Sequence, residues 1–158
     1  MPQILEVAIG AAEAQFAIEA AEVELDRRYG PSTDRSVADA APFTPPNGTF
    51  FVALDDDGQI IGGVGLRSVA EGVGEIKRLW VAETARRLGV GAGLMDAAED
   101  AAQRFGMHMV ELETGPKQPE AVALYLATGW ELVEELPVKV SDYPHAVRFV
   151  KRYRSSSS

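Results

Sequence analysis

EIKRLWVAETARRLGVGAGLMDAAED, residues 75–100, is the stretch on which the fold turns. Its opening, EIKRLWVA, is of strand length and reads as the third strand of an antiparallel meander. A loop with Arg86 and Arg87 follows, and then Gly89, Gly91 and Gly93. From residue 89 to 105 the period becomes helical: Val90, Leu94, Ala98, Ala101 and Phe105 are expected inward, and Asp96, Glu99, Gln103 and Arg104 outward. Strand, glycine turn and helix in that order make an anion site. A helix start presents unpaired backbone N–H groups and the positive end of its dipole, and glycines let a phosphate come close to the main chain. Arg86 or Arg87 would add charge-assisted bonds at the same end.

Working outward, residues 49–56 and 59–69 flank the turn Asp56, Asp57, Gly58 and read as a hairpin, with a second turn at 71–74 leading into EIKRLWVA. Upstream, Ile4–Ala8 is a short strand. Ala11–Tyr29 is a helix with Phe16, Ala20 and Val23 expected on its buried face, stopped by Gly30 and Pro31. Residues 31–48 mix turn formers with a short helix around 36–41. Downstream come strand 107–114, helix 119–128 closed by Gly129, a strand start at 130–136 and a last strand at 145–153. The expectation is one domain over residues 1–154, with the serines at 155–158 as a polar tail. Its fold class is mixed α/β (α+β): a mostly antiparallel sheet of six to seven strands, about four helices, and one parallel βαβ crossover at 75–114.

Three phosphate-binding designs compete for the turn. A Walker loop needs Lys and then Ser or Thr after its last glycine, but Leu94 and Met95 follow Gly93. A dinucleotide fingerprint needs GxGxxG, and GVGAGL has leucine at the third glycine, although Glu111 and Glu113 lie near the ribose-binding distance. The third design fits. RRLGVG, with Arg86, Gly89 and Gly91, resembles the pyrophosphate-binding motif A of the GNAT acetyltransferase superfamily. EIKRLWV resembles that family's fourth strand, and ETGPKQPEAVALYLATGW its fifth strand and following helix.

The resemblance implies the family's fold and acetyl transfer from acetyl-CoA to an amine. It implies a cofactor cradle over Arg86, Arg87, Leu88, Gly89, Val90, Gly91, Ala92 and Gly93. Main-chain groups of Leu79, Trp80 and Val81 would pair with the pantetheine arm and polarise the thioester carbonyl. Gln118 would stand where the family often carries asparagine, with Ala121 and Tyr125 behind it, and the Tyr125 phenol would meet the leaving thiolate; the helical spacing of Ala121, Leu124, Tyr125 and Thr128 equally reads Tyr125 as a core aromatic.

The chemistry also needs a base, because an alkyl amine with a pKa of about 10.4 is neutral in fewer than about one molecule in a thousand at pH 7. Glu75, several residues before the phosphate turn, is the first candidate, against the reading of a strand-end carboxylate paired with Lys77 or Arg78. Glu113 is the second, although strand alternation, with Leu112 and Thr114 on the opposite face, favours a side chain that points away from the cleft. His108 and His145 show no metal-ligand spacing and read as structural or surface residues; no metal is expected. A non-catalytic acyl-CoA-binding regulatory module stays open beside the enzyme.

Composition narrows the partners. Fifteen basic against twenty-four acidic residues give a charge of −9, which repels nucleic acid and anionic membranes. There is no cysteine, so disulfides, thiolate metal sites and an acyl-cysteine route are excluded, and a reducing cytoplasm is expected. The N-terminus reads neither as a signal peptide nor as a membrane span. The acceptor is expected against residues 25–48 and 134–147. There Asp26, Asp34, Asp39, Glu134, Glu135 and Asp142 lean towards a cationic amine, and a homodimer is a candidate assembly.

Overall fold

A computed structural model describes residues 2–30, 43–138 and 145–153. The helix expected around 36–41, the tail at 155–158 and part of the expected acceptor loop lie outside the described residues. In chain order the elements are β1 (Gln3–Val7), α1 (Ala12–Tyr29), β2 (Gly48–Leu54), β3 (Ile60–Ala70), β4 (Val73–Val81), α2 (Val90–Arg104), β5 (Met109–Thr114), α3 (Pro119–Ala127), β6 (Glu131–Val133) and β7 (Val147–Arg152). A 3-10 turn, Glu83–Ala85, sits between β4 and α2.

These strands make one mixed sheet in the order β1-β2-β3-β4-β5-β7-β6. Every neighbouring pair is antiparallel except β4 and β5, the two strands joined through α2. The crossover expected at 75–114 is therefore the one parallel step among the described strands.

Strand alternation sorts the core into two layers. Val64, Leu66, Ile76, Leu112 and Phe149 share one face and pack with Leu94, Met95 and Ala98 of α2 and with Tyr125 of α3. Phe50 and Val52 look the other way, onto Ala14, Ala17 and Ile18 of α1 and onto Phe43. Two successive glycines on β3 let a helix approach from each side. A Cβ on Gly62 would sit 2.8 Å from Leu94 Cδ1, and one on Gly63 2.7 Å from Ala17 Cβ.

That close approach explains a correction. Phe16 and Val23 are 54% and 62% exposed, not buried, while α1 buries Ala14, Ala17, Ile18 and Ala21. Three alanines and Ile18, at i, i+3, i+4 and i+7, form the contact stripe, and at Ala17 a larger side chain would hold the helix off Gly63. On α2, Val90, Leu94, Ala98 and Ala101 are buried as expected, whereas Phe105 is only half-buried. Glu99, expected outward, is buried as well. Tyr153 donates its hydroxyl to Glu99 Oε1 at 2.8 Å and the Lys151 ammonium lies 2.8 Å from the same oxygen, so the charge enters the core with two partners. Among the described residues no helix is long and apolar enough to cross a membrane.

Candidate active site

The parallel pairing of β4 with β5 starts at Val73 opposite Met109 and ends at Ile76 opposite Leu112. Both strands run on, β4 to Val81 and β5 to Thr114, without pairing again. Beyond Ile76, then, β4 presents an edge that carries no strand among the described residues, inside a sheet rather than at its border. A β-bulge marks the change. Between the rungs Gly65–Lys77 and Gly63–Trp80 the register of β3 and β4 shifts, and Arg78 takes a left-handed φ of 59°. The bulge turns Arg78 to α1, where its Nη1 donates to Glu22 Oε1 at 2.8 Å. Leu79 and Val81 go to the α2 layer and Trp80 to the α1 layer.

The glycine turn abuts this opening. Gly89 caps α2 with a φ of 78°, a conformation that disfavours any residue with a Cβ, and a Cβ there would meet nothing within 4 Å. No side chain caps the helix, and the bond that closes its first turn runs from Gly93 N–H to Gly89 C=O at 3.0 Å. The N–H groups of Val90, Gly91 and Ala92 therefore stand outside the helical ladder at the positive end of α2. Gly91 also serves the packing, since a Cβ on it would lie 3.1 Å from Leu124 Cδ2 and 3.6 Å from Val81 Cγ2. It lets the first turn of α2 close on α3 and on the end of β4. Gly93 has ordinary room. An open, glycine-lined set of unpaired amides beside an open strand edge fits a phosphorylated, extended thioester carrier.

Arg86, which opens the motif, directs its guanidinium to Glu24 of α1 at 3.1 Å. Arg87 is exposed, with a φ of 74°, and Leu88 is exposed too. Across the opening, Gln118 Oε1 accepts from Gly115 N–H at 3.1 Å and so closes the β5–α3 loop, with Ala121 half-buried one turn further on.

Glu75 is 1% exposed and occupies the next-to-last paired rung. Arg67 of β3 is a partner, its Nε and Nη2 reaching Oε1 at 2.8 and 2.7 Å. In register beside it on β5 is Glu111, fully buried, with Oε2 accepting from Val138 N–H at 3.1 Å. Glu113 is on the same sheet face as Glu75, tied to Arg148 at 3.2 Å. Tyr125 is on the opposite face, its ring 5.9 Å from that of Trp130 and 5.4 Å from that of Phe149. Burial pushes the phenol well above its ordinary value, so it stays protonated. His108 and His145 are exposed.

Sequence reasoning missed Arg67, Glu111 and Glu24. The first two are strand neighbours of Glu75 only once the register is known, although a buried-length strand carrying a glutamate at its centre, MVELET, is a signal that a partner is required.

The model of the acetyltransferase (GNAT) family matches residues 14–130 of the chain. An IAA acetyltransferase of Azospirillum brasilense is 34% identical over 111 residues, which cover 68% of this chain and 72% of the relative. Among solved structures, an acetyltransferase of the GNAT family from Staphylococcus aureus superposes with a TM-score of 0.78 at 16% identity, covering 98% of this chain and all of that one. The PaiA N-acetyltransferase of Thermoplasma acidophilum, solved in complex with coenzyme A, gives 0.72 at 16% identity, covering 97% and 99%.

Proposed function

This chain belongs to the acetyltransferase (GNAT) family, and from that premise we propose that it moves an acetyl group from acetyl-CoA directly to a primary amine within a ternary complex. The observation that carries the reading is the junction of two incomplete structures: unpaired amides at the start of α2 and an open strand edge on β4, brought together at Gly91 and Val81. The first suits a diphosphate and the second an amide-bearing arm that adds to the sheet.

The first-turn amides of α2, with Arg86 and Arg87, bind the diphosphate. Main-chain groups from Leu79 to Val81 hold the arm, and a backbone N–H there polarises the carbonyl. Acetyl-CoA supplies the activated acetyl group as a thioester. Glu75 takes the proton of the incoming ammonium through an intervening water, while Arg67 keeps its carboxylate in place. The amine nitrogen bonds to the carbonyl carbon as the C–S bond breaks; on the other face the Tyr125 hydroxyl gives its proton to the departing thiolate and regains one, through water, from the second proton that the nitrogen sheds as the amide forms. Base and acid come from different faces of the sheet, one serving the nitrogen and the other the sulfur of the tetrahedral adduct.

An acceptor screen that follows free thiol release from acetyl-CoA tests the proposal. The panel holds small primary amines, peptides with free amino groups, and IAA, after the Azospirillum relative's name. Thiol release that requires an amine is expected; hydrolysis alone across the whole panel would remove the proposed acceptor class.

A further inference from the structure

Glu24, near the end of α1, has no part in the roles assigned above, yet it collects three arginines. Arg27 Nη2 lies 2.5 Å from Oε2. Arg28 reaches Oε1 through Nε and Nη2, both at 2.9 Å, and Arg86 Nη2 reaches the same oxygen at 3.1 Å. Burial alone would raise this carboxyl group's pKa, but the hydrogen bonds from Arg27, Arg28 and Arg86 bring it down to about 2. The charge is therefore permanent at neutral pH.

The same turn of α1 grips the far side of the opening. Arg28 Nη2 also lies 2.5 Å from Glu120 Oε1 at the start of α3, and Arg28 Nη1 donates to the Lys117 carbonyl at 2.8 Å. Lys117 N–H donates to the Tyr29 hydroxyl at 2.9 Å. Gly115 leaves space for that ring, since a Cβ there would meet the Tyr29 hydroxyl oxygen. The last turns of α1 thus hold the β5–α3 loop directly, and the β4–α2 loop through Glu24 Oε1 to Arg86 and, at 4.0 Å, through Arg27 Nη1 to Glu83 Oε2.

We propose that Glu24 is a positioning residue that sets the Arg86 guanidinium for the cofactor diphosphate and ties the seating of that diphosphate to the last turn of α1. The inference rests on the cofactor site proposed above. A guanidinium carries five N–H donors in a rigid fork; Glu24 engages it at Nη2 and leaves the remaining donors for phosphate oxygens. Without the carboxylate, Arg86 is a long side chain free to rotate, beside two other cations that have lost a shared counter-charge.

The test is a double-mutant cycle read by calorimetry with coenzyme A itself, using the full chain as wild type, Glu24→Gln, Arg86→Ala and the double variant, at one ionic strength. Each single variant is expected to weaken binding about tenfold. The double variant should bind as Arg86→Ala does, because Glu24 acts through Arg86. In steady-state assays Glu24→Gln should raise the KM for acetyl-CoA by the same factor and leave kcat within about twofold. Unchanged affinity in Glu24→Gln, or losses that multiply in the double variant, would overturn the inference. If Glu24→Gln does not fold, as judged by its melting curve, Glu24→Asp takes its place in the cycle: it keeps the charge and withdraws the oxygen from Arg86. Should wild type bind no coenzyme A, the proposed site falls and this inference with it. Should wild type bind and only the cycle fail, the site stands and Glu24 loses its role.

Discussion

The two halves of β4 differ in what lies along one edge. From Val73 to Ile76 the strand is paired on both sides, its side chains are buried, and Glu75 is held by Arg67 and stands in register with Glu111. From Lys77 to Val81 its one neighbouring strand among the described residues is β3, its side chains are half-buried, and the β5 pairing has ended. Nine residues of one strand thus supply a rigid seat for a charge and, a few residues later, an open row of backbone donors and acceptors. The bulge at Arg78 separates the two. A sheet normally guards against such an edge, because unpaired backbone recruits another strand. An internal edge of this kind is tolerable where a ligand's amides complete it, and under the proposed function the glycine start of α2, at its far end, would hold that ligand's charge.

The largest expected effect breaks the open half. Gly91→Glu puts a Cβ against Leu124 and Val81 and a negative charge among the amides that would meet a diphosphate. Coenzyme A affinity measured by calorimetry should fall by more than about a hundredfold, on the order of 3 kcal/mol. The melting temperature serves as the control, since Leu124 Cδ2 is the end of a flexible side chain that can yield. Affinity equal to wild type would separate the glycine turn from the cofactor.

The next effect is in the closed half. Glu75→Gln preserves the shape and one hydrogen bond to Arg67 but cannot accept a proton. A loss of kcat of roughly a hundredfold is expected at pH 7, with coenzyme A affinity unchanged. The loss should shrink as the pH rises towards the amine pKa of about 10.4, where the acceptor deprotonates without help. A deficit that is the same at every pH would move the base to another group, and Glu113 on the same face is the first to try.

The two halves were unequally legible in the sequence. The glycine turn and α2 could be read because their signals are local: a 3.6-residue period, three glycines at the helix start, and two arginines before them. The order of strands and the parallel crossover followed from the same kind of pattern. The splay could not be read, for nothing in EIKRLWV or MVELET says that Ile76 and Leu112 form the last rung. The partner of Glu75 was missed because the hairpin register carries shifts near Gly63–Gly65 and Ser68–Ala70, so counting back from the turn does not find Arg67. The buried face of α1 was misread through its large residues. Phe16 and Val23 carry the stronger hydrophobic signal, but the alanine stripe has the shape that a glycine-bearing sheet accepts.

The smallest effect sharpens the contrast between the two sheet faces. Tyr125→Phe removes one oxygen from a ring whose contacts with Trp130 and Phe149 are made by carbon, so the melting temperature should hardly move. Burial keeps the phenol protonated through the whole assay range, and it can therefore act as a donor at any working pH. Its contribution is bounded by the leaving group. A thiolate whose conjugate acid resembles cysteine, near 8.5, departs partly unaided, so kcat should fall by only about tenfold at neutral pH, below the usual range for general acid catalysis. That loss should diminish above about pH 8.5, where the free thiolate is the stable product, while the acetyl-CoA KM stays within about twofold. Because Glu75 is on the other face, the two defects should multiply when Glu75→Gln and Tyr125→Phe are combined, as expected for groups that share no partner. A double variant no worse than Glu75→Gln alone would mean that both residues serve one proton path, and the separation of base and acid by the sheet would be wrong.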